Sequence, residues 1–193
     1  RQASKLKPGL KVAWDPANGA GGEICQILCQ TLPGEHILIN QEIDGNFPNH
    51  HPDPTVESNL AQLKEVVIRE QCDLGLAFDG DADRLGVIDS NGQIIFADKL
   101  LILYALDLLK TQPQATIIAD IKSSTLFSKM VSQAGGRPII WQTGHSLIKA
   151  KMKESGAVLA GEMSGRIFFA DRYYGYDDGI YAALRLLEIL SHG

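Results

Sequence analysis

Two patterns of apolar and polar residues alternate along the chain. Short apolar runs bounded by Asp, Gly or Pro predict buried strands, and stretches with apolar residues three or four positions apart predict amphipathic helices. The predicted strands are Leu10–Trp14, His36–Ile39, Leu74–Phe78, Leu85–Ile88, Thr116–Ala119, Arg137–Trp141, Ala157–Ala160 and Ile167–Phe169. The predicted helices are Glu23–Leu32, Thr55–Glu70, Lys99–Lys110, a helix that ends at Ala134, His145–Ser155 and Asp178–Leu190.

The order of these elements repeats. Asp15 follows the first strand as Asp120 follows its counterpart, and Arg84 in the first copy corresponds to Arg166 in the second. The second copy is shorter because it has no counterpart of the long loop at residues 42–54 of the first copy. The chain is therefore predicted to have an α/β fold of two tandem βαβαββα-type domains, residues 1–94 and 95–193, each a mixed sheet flanked by helices.

Three carboxylates stand at alternate positions between two predicted strands, in the sequence DGDADR. These are Asp79, Asp81 and Asp83, followed by Arg84, and the small residues between them leave the backbone free to curl. Three negative charges held together repel one another unless a cation lies among them. Hard carboxylate oxygens select hard cations, so the expected cofactor is Mg²⁺, with Mn²⁺ or Ca²⁺ as alternatives.

Two simpler interpretations of this segment are a solvated turn and an EF-hand loop. A solvated turn needs one or two Asp or Gly residues, and a third Asp in strict alternation adds nothing to a turn. An EF-hand loop numbered from Asp79 requires Gly at its sixth position and Glu at its twelfth, where this chain has Arg84 and Ser90. The pattern favours an open magnesium site over both.

Composition narrows the class of protein. The net charge of −5 argues against a nucleic-acid surface, and no apolar run is long enough to span a bilayer. The three cysteines, Cys25, Cys29 and Cys72, do not have the spacing of a metal site. So few cysteines are typical of a protein in the reducing cytoplasm. The first residue is Arg, from which we expect a piece of a longer protein. Residues 1–10, which end in Pro-Gly, are expected to be a linker.

Further candidate residues lie at predicted strand ends, where open α/β sheets bind ligands. Lys122 and His145 can bind a phosphate, and Glu162 and Ser164 can hydrogen-bond sugar hydroxyls. Each also has a structural interpretation: Lys122 as a solvated charge, His145 as a helix cap, and Glu162 as a partner of Arg166. The loop PANGAGG could bind phosphate but is better interpreted as a tight turn, because it matches no nucleotide motif. The metal loop and the loop at 161–166 are expected to line one cleft.

The sequence resembles the α-D-phosphohexomutases, in particular the bacterial phosphomannomutase/phosphoglucomutase group. The matching segments are DPANGAGG, GNFPNHHPDP, DGDADR, TGHSLIKAKM, GEMSGR and YGYDDGIYAALRLLEIL, in the family's order along nearly the whole chain. Enzymes of this family have four domains, and the resemblance implies that this chain contains the second and third. Met163 within GEMSG resembles the mannose/glucose group more than the glucosamine group.

The resemblance also implies roles. Asp79, Asp81 and Asp83 correspond to the Mg²⁺ ligands, and Arg84, Lys122 and His145 to catalytic residues that contact the phosphosugar. Glu162, Ser164 and Arg166 correspond to the substrate-binding loop. The expected reaction interconverts hexose 1-phosphate and hexose 6-phosphate through a phosphoserine and a bisphosphorylated intermediate. The phosphoserine belongs to an N-terminal domain and a phosphate clamp to a C-terminal domain, both absent here, so we expect this chain alone to be inactive.

One departure concerns acid–base chemistry. Arg166 stands where this group usually has His, and a guanidinium does not titrate near neutrality. Two other functions remain as alternatives at this point: a Mg²⁺-dependent phosphatase with an aspartate nucleophile, and a non-catalytic cation- or sugar-binding module.

Overall fold

The computed structural model describes residues 9–192, which divide into two compact units. The first unit contains the residues up to Ile95 together with the C-terminal segment that begins at Gly179. The second unit is Phe96–Asp178. Most of the predicted linker at residues 1–10 lies outside the described residues.

A mixed sheet forms the centre of the first unit, with the strand order β2-β1-β3-β4-β5. Its strands are β1 (Lys11–Asp15), β2 (Glu35–Leu38), β3 (Leu74–Phe78), β4 (Leu85–Asp89) and β5 (Ile94–Ile95). β1 pairs in parallel with β2 and β3, and the β3–β4 and β4–β5 pairs are antiparallel. The helices of this unit are α1 (Gly22–Thr31), α2 (Ala61–Arg69) and α6 (Gly179–Ser191).

A second mixed sheet, with the strand order β7-β6-β8-β9, forms the centre of the second unit. Its strands are β6 (Thr116–Asp120), β7 (Arg137–Trp141), β8 (Leu159–Gly161) and β9 (Ile167–Phe169). β6 pairs in parallel with β7 and β8, and β8 is antiparallel to β9. The helices are α3 (Ala97–Thr111), α4 (Thr125–Gln133) and α5 (His145–Ser155).

Apolar faces of the helices pack on these sheets. In α2 the buried positions are Leu63, Val66 and Val67, whose three- and four-residue spacing places them on one helix face. They join Ala13 and Ile88 of the first sheet in one core cluster. Full burial of a side chain such as Leu63 contributes about 1.5–3 kcal/mol to the free energy of unfolding. In the second unit Ile148 and Met152 of α5 pack in the same way on β6 and β8.

The predicted fold class is confirmed: two sheets flanked by helices, each sheet mixed. Two details differ from the sequence-based elements. The predicted helix Thr55–Glu70 is a 3₁₀ turn, Glu57–Leu60, followed by α2, and β5 is too short to give a strand signal. The domain bounds at residues 94 and 95 stay a prediction, and α6, which follows the second sheet in sequence, packs against β3 and β4 of the first unit.

Among the described residues, no helix combines the length and the apolar character that crossing a bilayer requires.

Candidate metal and substrate sites

The metal loop, residues 79–84, connects β3 to β4 at the end of the first sheet. The antiparallel pairing of Phe78 with Leu85 fixes the two ends of the loop beside each other. Ala82 has a φ of 60°, a left-handed conformation that turns the chain back and is easiest for a small side chain. As a result, one carboxylate oxygen from each of Asp79, Asp81 and Asp83 lies within 4.8 Å of the other two.

These spacings can be compared with the coordination of magnesium. An octahedral ion with metal–oxygen distances of about 2.1 Å places adjacent oxygens about 3.0 Å apart and opposite oxygens about 4.2 Å apart. Because the three oxygens lie within 4.8 Å of one another, each has to move inward by no more than about 1 Å to reach that geometry. Asp81 is exposed and can adjust, Asp83 is partly exposed, and Asp79 is only 2% exposed. The donor set therefore fits Mg²⁺.

Arg84 is held beside the carboxylates by Asp79. Its backbone N–H donates to Asp79 Oδ1 at 3.1 Å and its Nε donates to Asp79 Oδ2 at 2.6 Å. The guanidinium side chain is 23% exposed. A partly exposed, fixed cation next to a cluster of carboxylates is suited to bind a phosphate that a metal also contacts.

A second carboxylate, Asp53, also positions Arg84. Arg84 Nη1 donates to Asp53 Oδ1 at 3.1 Å, and the Thr55 hydroxyl donates to the same oxygen at 2.7 Å. Partial burial acts to raise the pKa of Asp53, but the hydrogen bonds from Thr55 and the charge of Arg84 outweigh it and lower that pKa. Asp53 is thus a stable anion at neutral pH, and it lies in the long loop at residues 42–54.

A hydrogen bond between the fully buried Asp15 and the partly buried His50 supports this long loop. Asp15, at the end of β1, is fully buried and accepts a hydrogen bond from His50 Nε2 at 2.8 Å. The other ring nitrogen of His50 contacts the carbonyl oxygen of His51 at 3.0 Å. Since a carbonyl and a carboxylate both only accept, the ring satisfies both contacts when both nitrogens carry protons. The hydrogen bond to Asp15 raises the pKa of His50, which favours that cationic form.

Two glycines allow close packing against the metal loop. A Cβ on Gly19, in the PANGAGG segment, would lie 2.7 Å from Gly80 O, and Ala20 N donates to the same oxygen at 2.8 Å. A Cβ on Gly179, at the start of α6, would lie 2.7 Å from Arg84 O and 2.9 Å from Ala82 O. Side chains at these positions would displace the metal loop. The PANGAGG segment is therefore a turn that supports the carboxylates.

The other predicted site residues lie in the second unit. Lys122 follows β6 and His145 is the first residue of α5, and both are exposed. Gly144, without a side-chain hydrogen bond, occupies the cap position predicted for His145. Ser164 is partly exposed in the loop between β8 and β9. Glu162, in the same loop, is only 4% exposed: its Oε1 accepts from Gly144 N at 2.6 Å and its Oε2 from Ser164 Oγ at 3.3 Å.

Arg166, at the end of the same loop, is fixed by Asp177. The Asp177 carboxylate accepts hydrogen bonds from Arg166 Nη1 and from Lys149 Nζ, the latter at 3.1 Å. Burial acts to raise the pKa of Asp177, but the bonds from Arg166 and Lys149 outweigh it and lower that pKa. The guanidinium therefore has a permanent counter-ion, and its side chain remains 22% exposed.

Sequence reasoning missed the residues that hold these cations. Asp53 and Arg84 are 31 positions apart, and Asp177 and Arg166 are 11 apart, so no local pattern pairs them. The sequence contained only general signals for these two carboxylates: Asp53 lies in a Pro-rich loop, and Asp177 precedes the start of a helix.

Comparison with known proteins identifies the family. Residues 1–92 match the phosphoglucomutase/phosphomannomutase alpha/beta/alpha domain II, and residues 96–193 match alpha/beta/alpha domain III. A phosphomannomutase/phosphoglucomutase from Pseudomonas syringae is 56% identical over 182 residues, which cover 94% of this chain and 39% of the relative. A phosphoglucomutase from Neisseria gonorrhoeae is 49% identical over 187 residues, covering 97% of this chain and 41% of the relative.

A solved structure gives the same result. The crystal structure of a phosphoglucomutase/phosphomannomutase family protein from Burkholderia thailandensis superimposes with a TM-score of 0.95 at 46% identity, covering 100% of this chain and 42% of that one. The chain thus spans about 40% of the length of the relatives it matches. The motifs, the two mixed sheets and these matches lead to one conclusion: the chain belongs to the phosphoglucomutase/phosphomannomutase family and contains its domains II and III.

Proposed function

We propose that this chain supplies the magnesium site and the sugar-recognition loop of a phosphohexomutase that interconverts hexose 1-phosphate and hexose 6-phosphate. The observation that carries the proposal is the convergence of Asp79, Asp81 and Asp83, with oxygens within 4.8 Å of one another, beside the fixed Arg84. The names of the relatives, phosphomannomutase/phosphoglucomutase and phosphoglucomutase, support glucose and mannose phosphates as the substrate class.

The three carboxylates would hold Mg²⁺, which neutralises negative charge on a phosphoryl group during its transfer. Arg84 is positioned by Asp79 and Asp53 to bind a phosphate oxygen near that site. The phosphoryl donor, a phosphoserine, would come from a domain that precedes these two in the whole enzyme. The whole enzyme passes this phosphoryl group to the sugar and recovers the other phosphate from the bisphosphorylated intermediate.

In the second unit, Lys122 and His145 would bind the phosphosugar, and Ser164 and Glu162 would bind its ring hydroxyls. Arg166, with Asp177 as its counter-ion, would contribute a fixed positive charge. Because a guanidinium keeps its proton at all physiological pH values, the proton transfers of the reaction must use another group.

Magnesium binding tests the first part of the proposal. Isothermal titration of the chain with MgCl₂ should show weak binding at one site, and Asp81→Asn should weaken it at least about tenfold by removing a ligand charge. Glu65→Gln is the matched control, because it removes one exposed charge from the first unit away from the metal loop. Equal Mg²⁺ affinity in wild type and Asp81→Asn would overturn the assignment.

A chimera tests the reaction. The chain would replace the corresponding segment of the Pseudomonas syringae relative, and conversion of glucose 1-phosphate to glucose 6-phosphate would be followed by a coupled dehydrogenase assay. We expect activity in the chimera, loss of activity on Asp81→Asn, and no turnover by the chain alone. An Asp-nucleophile phosphatase would instead hydrolyse phosphate esters without the added domains and bind beryllofluoride at the metal loop, and either result would refute the proposal.

A further inference from the structure

Two fully buried aspartates occupy equivalent places in the two units. Asp15 is the last residue of β1 and Asp120 is the last residue of β6, and both are 0% exposed. A buried carboxylate costs several kcal/mol unless hydrogen bonds or a cation replace its water. The hydrogen bonds that compensate for the burial of Asp120 therefore indicate its structural role.

Asp120 accepts hydrogen bonds from three separate loops. Its Oδ1 accepts from Ser123 Oγ at 3.0 Å, and its Oδ2 accepts from Thr143 Oγ1 at 3.1 Å and from Met163 N at 3.3 Å. Ser123 follows β6, Thr143 follows β7 and Met163 follows β8, and these three strands are neighbours in the sheet. One carboxylate thus ties together the loops at the ends of three adjacent strands.

Glu162 adds a second connection between two of these loops. Its Oε1 accepts from Gly144 N at 2.6 Å, which joins the loop after β8 to the start of α5. This hydrogen bond reinforces the contacts of Asp120 with Thr143 and Met163, because those contacts join the same two loops. The amides of Gly144 and Met163 are therefore both held by buried carboxylates from outside their own loops.

We propose that Asp120 is a positioning residue that sets the relative places of Lys122, His145 and Ser164. Each of these side chains lies within two residues of a group that Asp120 holds. The identity of the ligand, a hexose phosphate, rests on the proposed function, whereas the anchoring of the loops does not. Asp120 does not contact the ligand and acts only through the loops.

The chemistry of the donors predicts which substitutions Asp120 tolerates. The Ser123 hydroxyl can rotate and accept a hydrogen bond, but the Met163 N–H can only donate. Asp120→Asn can direct its NH₂ group to Ser123 and keep its oxygen towards Thr143 and Met163, so it should preserve the loops. Asp120→Ala removes every acceptor and should release them. The role is therefore one of geometry, and the negative charge is dispensable.

Amide hydrogen exchange measured by NMR on the chain tests the anchoring. Asp120→Ala should accelerate exchange of the Met163 amide about tenfold, because it removes the acceptor of that amide. The Gly144 and Gly165 amides donate to Glu162 in the loops that Asp120 holds, so their exchange should also accelerate, by a smaller factor. Asp120→Asn should leave these amides within about twofold of wild type. Asp15→Ala, the equivalent change in the first unit, should accelerate exchange at Ala17, whose N–H donates to Asp15 Oδ1 at 2.9 Å, and leave the three amides unchanged.

If Asp120→Ala does not fold, Thr143→Val gives the second measurement. It removes the hydroxyl that donates to Asp120 Oδ2, so it should accelerate exchange at the adjacent Gly144 and leave Met163, which keeps its acceptor, unchanged. Unchanged exchange in the folded Ala or Val variant, or equal acceleration by Asp120→Asn and Asp120→Ala, would overturn the proposal.

Titration with glucose 1-phosphate separates this inference from the proposed function. Binding that shifts the amides of Lys122 and His145 in wild type and in Asp120→Asn, and that is lost in Asp120→Ala, supports both. No shift in wild type counts against the proposed function, while the exchange experiment still decides the anchoring. Equal binding by wild type and a folded Asp120→Ala would overturn the positioning role.

Discussion

The pairing of His50 with Asp15 makes a specific prediction about stability and pH. His50→Asn places an amide near the position of Nδ1, which can keep the contact to His51 O, and removes the Nε2–H that donates to Asp15. A hydrogen bond between charged partners contributes about 1.5–3 kcal/mol. Asp15 is fully buried, and its other side-chain hydrogen bonds, from Ala17 N and Asn40 Nδ2, reach Oδ1 rather than the Oδ2 that His50 contacts. We expect His50→Asn to lower the free energy of unfolding of the first unit by about 2 kcal/mol at pH 6.

The sign of the pH dependence follows from the direction of the pKa shift. The pKa of His50 in the folded chain is raised by Asp15, so the pairing stabilises the fold fully below the unfolded-state pKa of histidine. This stabilisation is lost as the pH rises through the folded-state pKa. The difference in stability between wild type and His50→Asn should therefore be largest in mild acid and shrink at alkaline pH.

Urea unfolding followed by tryptophan fluorescence measures this effect. The two tryptophans lie in different units, so a Trp141→Phe background leaves the fully buried Trp14, in β1, as the reporter of the first unit. His51→Asn is the matched control, because His51 is adjacent but exposed. Equal losses for the two histidine variants, or a difference that grows between pH 6 and pH 9, would refute the reasoning.

Three further predictions concern other parts of the chain. Gly179→Ala should weaken Mg²⁺ binding about tenfold in calorimetry by displacing the metal loop, whereas Gly45→Ala, with no atom within 4 Å of its added Cβ, should have no effect. Asp177→Asn leaves Arg166 and Lys149 without a shared counter-ion and should destabilise the second unit by about 1.5–3 kcal/mol in urea unfolding. Since the pKa of Asp177 is lowered in the fold, that loss should shrink as the pH falls through this pKa, and a constant loss would contradict the argument. Burial raises the pKa of Cys25 to about 12, so Ellman's reagent at pH 8 should modify it slowly in the native chain and rapidly in urea, and fast native labelling would be evidence against its burial.

The sequence determined the features that depend on neighbours along the chain. Alternating Asp residues between two apolar runs predicted the metal loop, because the strands bring the loop ends together and the small residues between the carboxylates allow a tight curl. Periodicity predicted the helices and all strands of the two sheets except the short β5, because burial of one face follows directly from residue spacing. The resemblance in DGDADR and GEMSGR then indicated the family.

Tertiary structure alone decided which distant groups meet. The partners of Arg84 and Arg166, Asp53 and Asp177, are chosen by the course of loops that no local periodicity describes. The same is true of α6, which follows the second sheet in sequence but packs on the first, where Gly179 lies against the backbone of the metal loop. The physical reason is that spacing specifies which face of an element is apolar, while the surface that covers this face depends on the three-dimensional path of the whole chain.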